Sequence, residues 1–264
     1  MKITDPKFRA LQQTARAQLP THEKESETTS NRLKSFFKQW PGFYLFLRET
    51  FGPTHSPFNG FRLRHRVREL FATVGADAVV LNVGSGATRV HPDIINVDIF
   101  PFQGVDLVAD IGDVPLKNAV VDGVVCDSVL EHLPDTPRAL SEIVRVLKPG
   151  GIFFVTGLFL YPYHSSPSDY YRWTEQGIRH ELAEHGFTIE ELGIRGGPMG
   201  TLQGVLMHVL AIPFARISQA AYFLMVQFGM VLFSPLKLLD PFFMIFPASR
   251  EIASDLYIVA RKKS

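Results

Sequence analysis

The sequence predicts an α/β fold, a seven-stranded and mostly parallel sheet flanked by helices. Continuous runs rich in Val, Ile and Phe recur through the middle of the chain, as in strands buried on both faces. Amphipathic helical patterns separate those runs, the order expected of a sheet covered on both sides. The alternation ends in "GFTIEELGI" and, after a long apolar stretch, in "DLYIVARKK".

Taken in order, the chain opens with a polar helix near residues 6–19 and a polar stretch, "THEKESETTS". The apolar-aromatic segment "NRLKSFFKQWPGFYLFLRETFG" follows, its first helix capped by Ser30 or Asn31 and ended by Pro41-Gly42. "PTHSPFNG" links it to a helix over 62–74. Strands are expected over 79–83, 94–99, 107–109, 123–126, 151–156 and 187–190, with helices over 137–146 and 174–184. Asp122 begins the fourth strand at the edge away from any ligand, so it reads as structural. "LKPGG" reads as a tight turn and strand start rather than a phosphate cradle. There is no internal repeat.

At 264 residues the chain has room for one α/β domain with some decoration. Its 27 basic and 26 acidic residues nearly cancel, so net charge gives no attraction to nucleic acid. The single cysteine, Cys126, excludes an internal disulfide and sits in the apolar run GVVCDSV as a buried structural thiol. "MKITDPKFRALQQTARAQL" lacks the apolar core of a secretion signal. No cluster has metal-ligand spacing, so no metal is expected.

The motif that points to a ligand is "VVLNVGSGATRVHPDIINVDIF". Open α/β sheets bind ligands at the carboxyl ends of their strands. Gly84 and Gly86 end the first strand and let a ligand approach the backbone closely. Asp98 ends the next, where a carboxylate can accept from two ribose hydroxyls. A dinucleotide site fits badly. Its third glycine would fall where Arg89 stands, and its acid lies about 20 residues on, whereas Gly84 to Asp98 is only 14. With little room for a first helix there is also no good dipole to hold a pyrophosphate. A ligand with ribose and adenine but no phosphate fits better.

From here the chain resembles the class I S-adenosylmethionine-dependent methyltransferases of the type 11-like group, over roughly residues 79–187. "LNVGSG" resembles their glycine motif and "NVDIF" their ribose-binding acid. "VADIGDVPLKNAVVDGVVCDSVLEHLPD" resembles the adenine-binding and fourth-strand motifs, and "ALSEIVRVLKPGGIFFV" the helix and fifth strand. "DYYRWTEQGIRHELAEHGF" is similar to a tyrosine-arginine-threonine segment of one subgroup. The resemblance implies a Rossmann-like methyltransferase fold with "LYIVARK" as an antiparallel last strand, and S-adenosyl-L-methionine as cofactor. It implies that Gly84 and Gly86 face the methionine part, with Asp98 on the ribose. Asp110 would accept from the adenine amino group, Ile111 would pack beside the ring, and Asp127 would lie near the sulfonium and amino acid end. The shortened glycine turn departs from the family pattern and leaves Arg89 and His91 without an implied role.

Methyl transfer from a sulfonium is an in-line displacement, so alignment of donor and acceptor supplies much of the rate, up to about 7–11 kcal/mol. An oxygen acceptor also needs a base, contributing about 10²–10⁴-fold, and histidine suits neutral pH. His132, after the fourth strand, and His164, after the fifth, stand at the expected ligand edge. A capping role for His132 and a solvent position for His164 are the alternatives. Tyr170, Tyr171 and Arg172 are candidates to shape the acceptor pocket, against simple aromatic packing.

The division expected is an N-terminal helical extension (1–60), a core (61–195), an apolar helical insertion (196–249) and the last strand (250–264). Between Arg195 and Arg216, and again between Arg216 and Lys237, there is no Asp, Glu, Lys or Arg. "ISQAAYFLMVQFGMVLFSPL" is long enough to span a bilayer at about 1.5 Å per residue. If the last strand rejoins the sheet, a single crossing is impossible. That leaves two crossings, a re-entrant hairpin or no crossing; interfacial or pocket-covering helices suit Pro213, Pro235, Pro241 and Pro247, with Arg216 and Lys237 snorkelling. The expectation is an enzyme at the cytoplasmic face of a membrane, in peripheral or re-entrant contact, acting on a small-molecule or lipid-like acceptor. A soluble enzyme with an apolar lid or homodimer interface, and a cofactor-binding inactive scaffold, are the alternatives.

Overall fold

The computed structural model describes residues 46, 50–54, 61–75, 77–164 and 168–264. The helix expected over 6–19, its polar successor and most of the aromatic segment lie outside the described residues.

Seven strands form one sheet: β1 (Val80–Val83), β2 (Ile95–Asp98), β3 (Leu107–Val108), β4 (Val121–Cys126), β5 (Leu147–Leu158), β6 (Phe187–Gly196) and β7 (Asp255–Lys262). Their order is β3-β2-β1-β4-β5-β7-β6, with β7 antiparallel to both neighbours. The runs with no alternation explain the parallel part. Every residue of β1 and β2 is buried, because apolar layers cover both faces. One layer contains Leu81, Val97, Val124, Leu140, Ile143 and Phe153. The other is built on Val67, Leu70, Phe71, Val80, Val125 and Phe154.

The helices begin and end where the sequence supplies partners for their free backbone groups. Helix α1 is Leu63–Val74 and stops at Gly75, which has φ 97°. Helix α2, Thr136–Val146, is capped by Asp135, whose carboxylate accepts from Arg138 N at 3.0 Å, with Pro137 in its first turn. Helix α3, Glu175–Glu184, is capped by Thr174, whose hydroxyl accepts from Gly177 N at 3.0 Å.

Strand β5 starts earlier than the turn-like "LKPGG" suggests. Leu147 already pairs with Val121, the register then shifts, and Gly123 pairs with Ile152. Gly150, at φ 74°, lets the chain bulge within the strand instead of preceding it. Strand β6 likewise runs to Gly196 instead of ending at residue 190, because β7 continues to pair with it.

The link from β1 to β2 contains no helix. Side chains brace it instead. Arg89 bonds to Ile94 O at 2.6 Å and Gly104 O at 3.0 Å and pairs with Asp106 at 2.7 Å. His91 stacks on Phe71 with ring centroids 4.0 Å apart. Fully buried Asn96 accepts from Asn82 Nδ2 at 3.1 Å and donates to Gly104 O at 2.9 Å. These contacts account for both residues that the family resemblance leaves without a role.

Between β6 and β7 lie α4 (Pro198–Ala211), α5 (Gln219–Phe233), a short α6 (Asp240–Phe243) and intervening 3-10 turns. Gly196 and Asp255 are register partners, and Ser254 N donates to Gly196 O at 3.0 Å. The excursion therefore leaves and re-enters the sheet at one point. Because Leu158 at the end of β5 also pairs with Asp255, that point is the carboxyl edge of the parallel strands. Helices α4 and α5 pack closely: a Cβ on Gly229 would lie 2.9 Å from Met207 Cα. Asp240 accepts from Met199 N at 2.9 Å and so caps α4 from a distant position. Buried Lys237 donates to Thr50 O and Gly52 O at 2.8 and 3.0 Å, and Gln203 to Phe51 O at 2.6 Å, tying residues 50–54 to the insertion.

The insertion buries little of its apolar surface. Leu202, Val205 and Val209 line the outside of α4, Leu224, Phe228 and Leu232 the outside of α5, and all are exposed. Ile217 in the turn between them is 74% exposed. Pro198–Arg216 and Gln219–Phe243 are each long and apolar enough to cross a membrane by length and composition.

Candidate active site

The carboxyl ends of the parallel strands β3, β2, β1 and β4 lie side by side at one edge of the sheet. Gly84 (φ 65°) and Gly86 (φ 55°) take the left-handed conformation that glycine adopts without strain. Their surroundings differ. A Cβ on Gly84 would lie 2.4 Å from the Val129 side chain, so this glycine permits the β1 and β4 exits to pack. A Cβ on Gly86 would meet nothing within 4 Å, which leaves its backbone open to a ligand.

Asp98 is buried, with Oδ2 accepting from Gly86 N at 2.8 Å and Oδ1 from Phe100 N at 2.9 Å. Two amides thus fix the carboxylate against the glycine turn and use one lone pair on each oxygen. Asp110 follows β3, with Oδ1 accepting from Gly112 N at 2.8 Å and Oδ2 lying 3.7 Å from Arg138. Ile111 beside it is buried in the main core. A ribose-and-adenine cofactor is compatible with this set: an open backbone at Gly86, with fixed acids at the ends of two neighbouring strands. Asp122 lies at the opposite edge, accepting from Val79 N at 2.9 Å and from Lys148 at 2.6 Å.

Asp127 ends β4. Its Oδ1 accepts from Thr156 Oγ1 at 3.0 Å and from Arg195 Nη1 at 2.6 Å. The chain then enters a 3-10 turn, Leu130–His132. Glu131 is fully buried there, and neither carboxyl oxygen has a hydrogen-bond partner among the described residues. Burial pushes its pKa up to about 7, helped by Asp127.

His132 and His164 come together, with ring centroids 5.6 Å apart. His132 Nδ1 bonds to the Ser168 carbonyl, which places the proton on Nδ1 and leaves Nε2 as the basic nitrogen. Burial lowers its pKa below the ordinary histidine value, which favours the neutral ring. His164 is exposed and is positioned through its backbone, which donates to Asp169 Oδ2 at 2.6 Å.

Arg172 braces this loop. Its guanidinium donates to Asp169, to Tyr161 O at 3.1 Å, to Pro162 O at 3.0 Å and to Tyr171 O at 2.9 Å. Those bonds use all five of its N–H donors, so the guanidinium holds the backbone of the loop. Tyr171 donates its hydroxyl to Pro134 O at 3.1 Å and its ring lies 5.6 Å from Trp173. Tyr170 is anchored by its amide on Glu131 O at 2.7 Å, and its ring is exposed. Arg195 is absent from the residues that the sequence singles out, because its partner Asp127 is 68 positions away. Among the described residues no group of three His, Cys, Asp or Glu is placed to hold a metal ion.

Known proteins resemble this chain over part of its length or in its fold. Residues 72–155 match a family described as a methyltransferase domain. A stretch of 47 residues is 47% identical to a protein of Mycolicibacterium smegmatis assigned as an S-adenosylmethionine-dependent methyltransferase. That match spans 18% of this chain and 18% of the relative's length. A crystal structure assigned as a sarcosine dimethylglycine methyltransferase from Galdieria sulphuraria superposes with a TM-score of 0.52. It is 15% identical, over 89% of this chain and 99% of that one, a likeness of fold alone.

Proposed function

We propose that this chain, which carries a class I S-adenosylmethionine-dependent methyltransferase domain, methylates an oxygen of a lipid-like acceptor at the cytoplasmic face of a membrane. The observation that carries the proposal is the shared edge. The stems of the exposed apolar insertion leave the sheet where the glycine turn, Asp98 and Asp127 also end.

In this reading Gly84 and Gly86 lie along the methionine part of the cofactor, and Asp98 uses its remaining lone pairs on the ribose. Asp110 accepts from the adenine amino group, with Ile111 beside the ring, and Asp127 lies by the sulfonium and amino acid end. The bound cofactor supplies an electrophilic methyl group. The chain's own work is alignment and proton removal. His132 offers a neutral Nε2 to the acceptor hydroxyl, and His164 is the neighbouring alternative base. That nitrogen would take up the hydroxyl proton as the acceptor oxygen gains the methyl group that a bound donor would give up. Tyr170 and Tyr171 line the acceptor side, with Arg172 bracing the loop.

The insertion lies in peripheral contact with the bilayer, its exposed apolar side chains toward lipid and Arg216 at the headgroups. The test is transfer of labelled methyl groups from S-adenosylmethionine into fractionated lysate. Label in the lipid extract supports the proposal. Label confined to water-soluble small molecules points to a pocket lid or dimer interface, and no transfer at all points to an inactive scaffold.

A further inference from the structure

The two residues that flank the insertion bring ionisable groups into the interior, and burial pushes the Asp255 carboxyl well above its ordinary range despite Arg195 beside it. Arg195 precedes Gly196 at the end of β6, and Asp255 opens β7. The Arg195 side chain is 3% exposed and that of Asp255 is 0% exposed. Burial works against the charge on Arg195, and Asp127 followed by Asp255 hold it in place. Such buried ion networks rarely stabilise a fold more than apolar residues of similar volume would. The arrangement therefore calls for a use other than stability.

That use is visible at the exit of β4. Ser128 has φ 56°, a left-handed conformation that strains a non-glycine residue. Two contacts hold it there, and a third fixes its neighbour Asp127. Thr156 Oγ1 accepts from Ser128 N at 2.8 Å, Arg195 Nη1 donates to Ser128 Oγ at 2.9 Å, and the same Nη1 lies 2.6 Å from Asp127 Oδ1. Arg195 Nη1 also lies 3.1 Å from Thr156 Oγ1 and from Asp255 Oδ2. Strained backbone of this kind persists where its surroundings over-determine it, and it concentrates at functional sites.

We propose that Arg195 is a positioning residue for the donor site, acting through Asp127 and the strained Ser128. It clamps the β4 exit, and through Asp255 it joins that exit to the root of the insertion. The inference rests on the donor reading given above, in which Asp127 faces the cofactor.

The test uses the full chain and calorimetry with S-adenosylmethionine and, separately, S-adenosylhomocysteine. Arg195→Gln is expected to weaken binding about tenfold or more, and Arg195→Lys to restore part of it. Asp255→Asn, which leaves the Arg195–Asp127 contact in place, should bind within about twofold of wild type. If Arg195→Gln melts and binds like wild type, the proposal is overturned. It is overturned equally if Asp255→Asn weakens binding as much as Arg195→Gln, since the network would then be structural as a whole. Should Arg195→Gln fail to fold, Ser128→Gly decides. It relieves the strain and removes the hydroxyl, so weakened binding at an unchanged melting temperature supports the clamp and wild-type binding sinks it. Wild-type protein that binds neither ligand overturns the donor reading first, and this inference with it.

Discussion

Asp98 has two tasks in the same few ångströms: it fastens the glycine turn through Gly86 N, and in the proposed site it also meets the ribose. Asp98→Ala should therefore weaken S-adenosylmethionine binding by about 1.5–3 kcal/mol, the range for hydrogen bonds to a charged group. Calorimetry showing wild-type affinity would remove the ribose assignment. Glu131 makes a different prediction. Its pKa in the fold is about 7 against an ordinary 4.5, so the folded chain binds more protons than the unfolded one between those values. Stability from this group is thus full below pH 4.5 and declines as pH rises towards 7. Glu131→Gln cannot lose a proton, so its stability relative to wild type should rise by up to about 3 kcal/mol between pH 4.5 and 7. Denaturant melts at several pH values would show it, and parallel pH profiles for the two proteins would refute it. The glycines and Asp98 were legible because local spacing carries them. Arg195 was not, because a guanidinium buried by partners on β4 and β7 leaves no pattern in its own neighbourhood.

Among the elements, the α4–α5 pair depends on close approach at Gly229, where any side chain would press on the Met207 backbone. Gly229→Leu should force the helices apart and cost about 1–3 kcal/mol, the usual penalty of overpacking. A melting curve matching wild type would mean that the pair is not packed in this way. The strands themselves were readable as apolar runs, and the helix starts expected at residues 137 and 174 fall within a residue of those observed. The ends of β5 and β6 were less so. Pairing with partners distant in sequence extends both beyond their own apolar runs, as at Leu147 opposite Val121 and Gly196 opposite Asp255. The missing helix between β1 and β2 was visible from length alone. Its replacement by Arg89, Asn96 and Asp106 became visible only in three dimensions.

For the whole molecule the question is where the exposed apolar surface goes. Contiguous patches beyond a few hundred Å² are uncommon on soluble monomers. Burying a further ~400 Å² in lipid would contribute about 10 kcal/mol before ordering costs. The intact protein should therefore sediment with membranes and need detergent for release. A version with residues 197–254 replaced by a short flexible linker should remain in the supernatant and still bind S-adenosylmethionine. An intact protein that is monomeric and soluble without detergent would make the insertion a lid, and a detergent-free dimer would make it a subunit interface.

The pairing of Gly196 with Asp255 has a consequence on a longer timescale. A segment whose two ends already touch can lengthen, shrink or be exchanged without moving the residues on either side. Natural variation can then rewrite the segment that, in the proposed function, meets the acceptor, while the strands it leaves from stay as they are. Lineages that share this scaffold would be expected to diverge first in what they modify and where in the cell they do it, and last in how they hold the methyl donor.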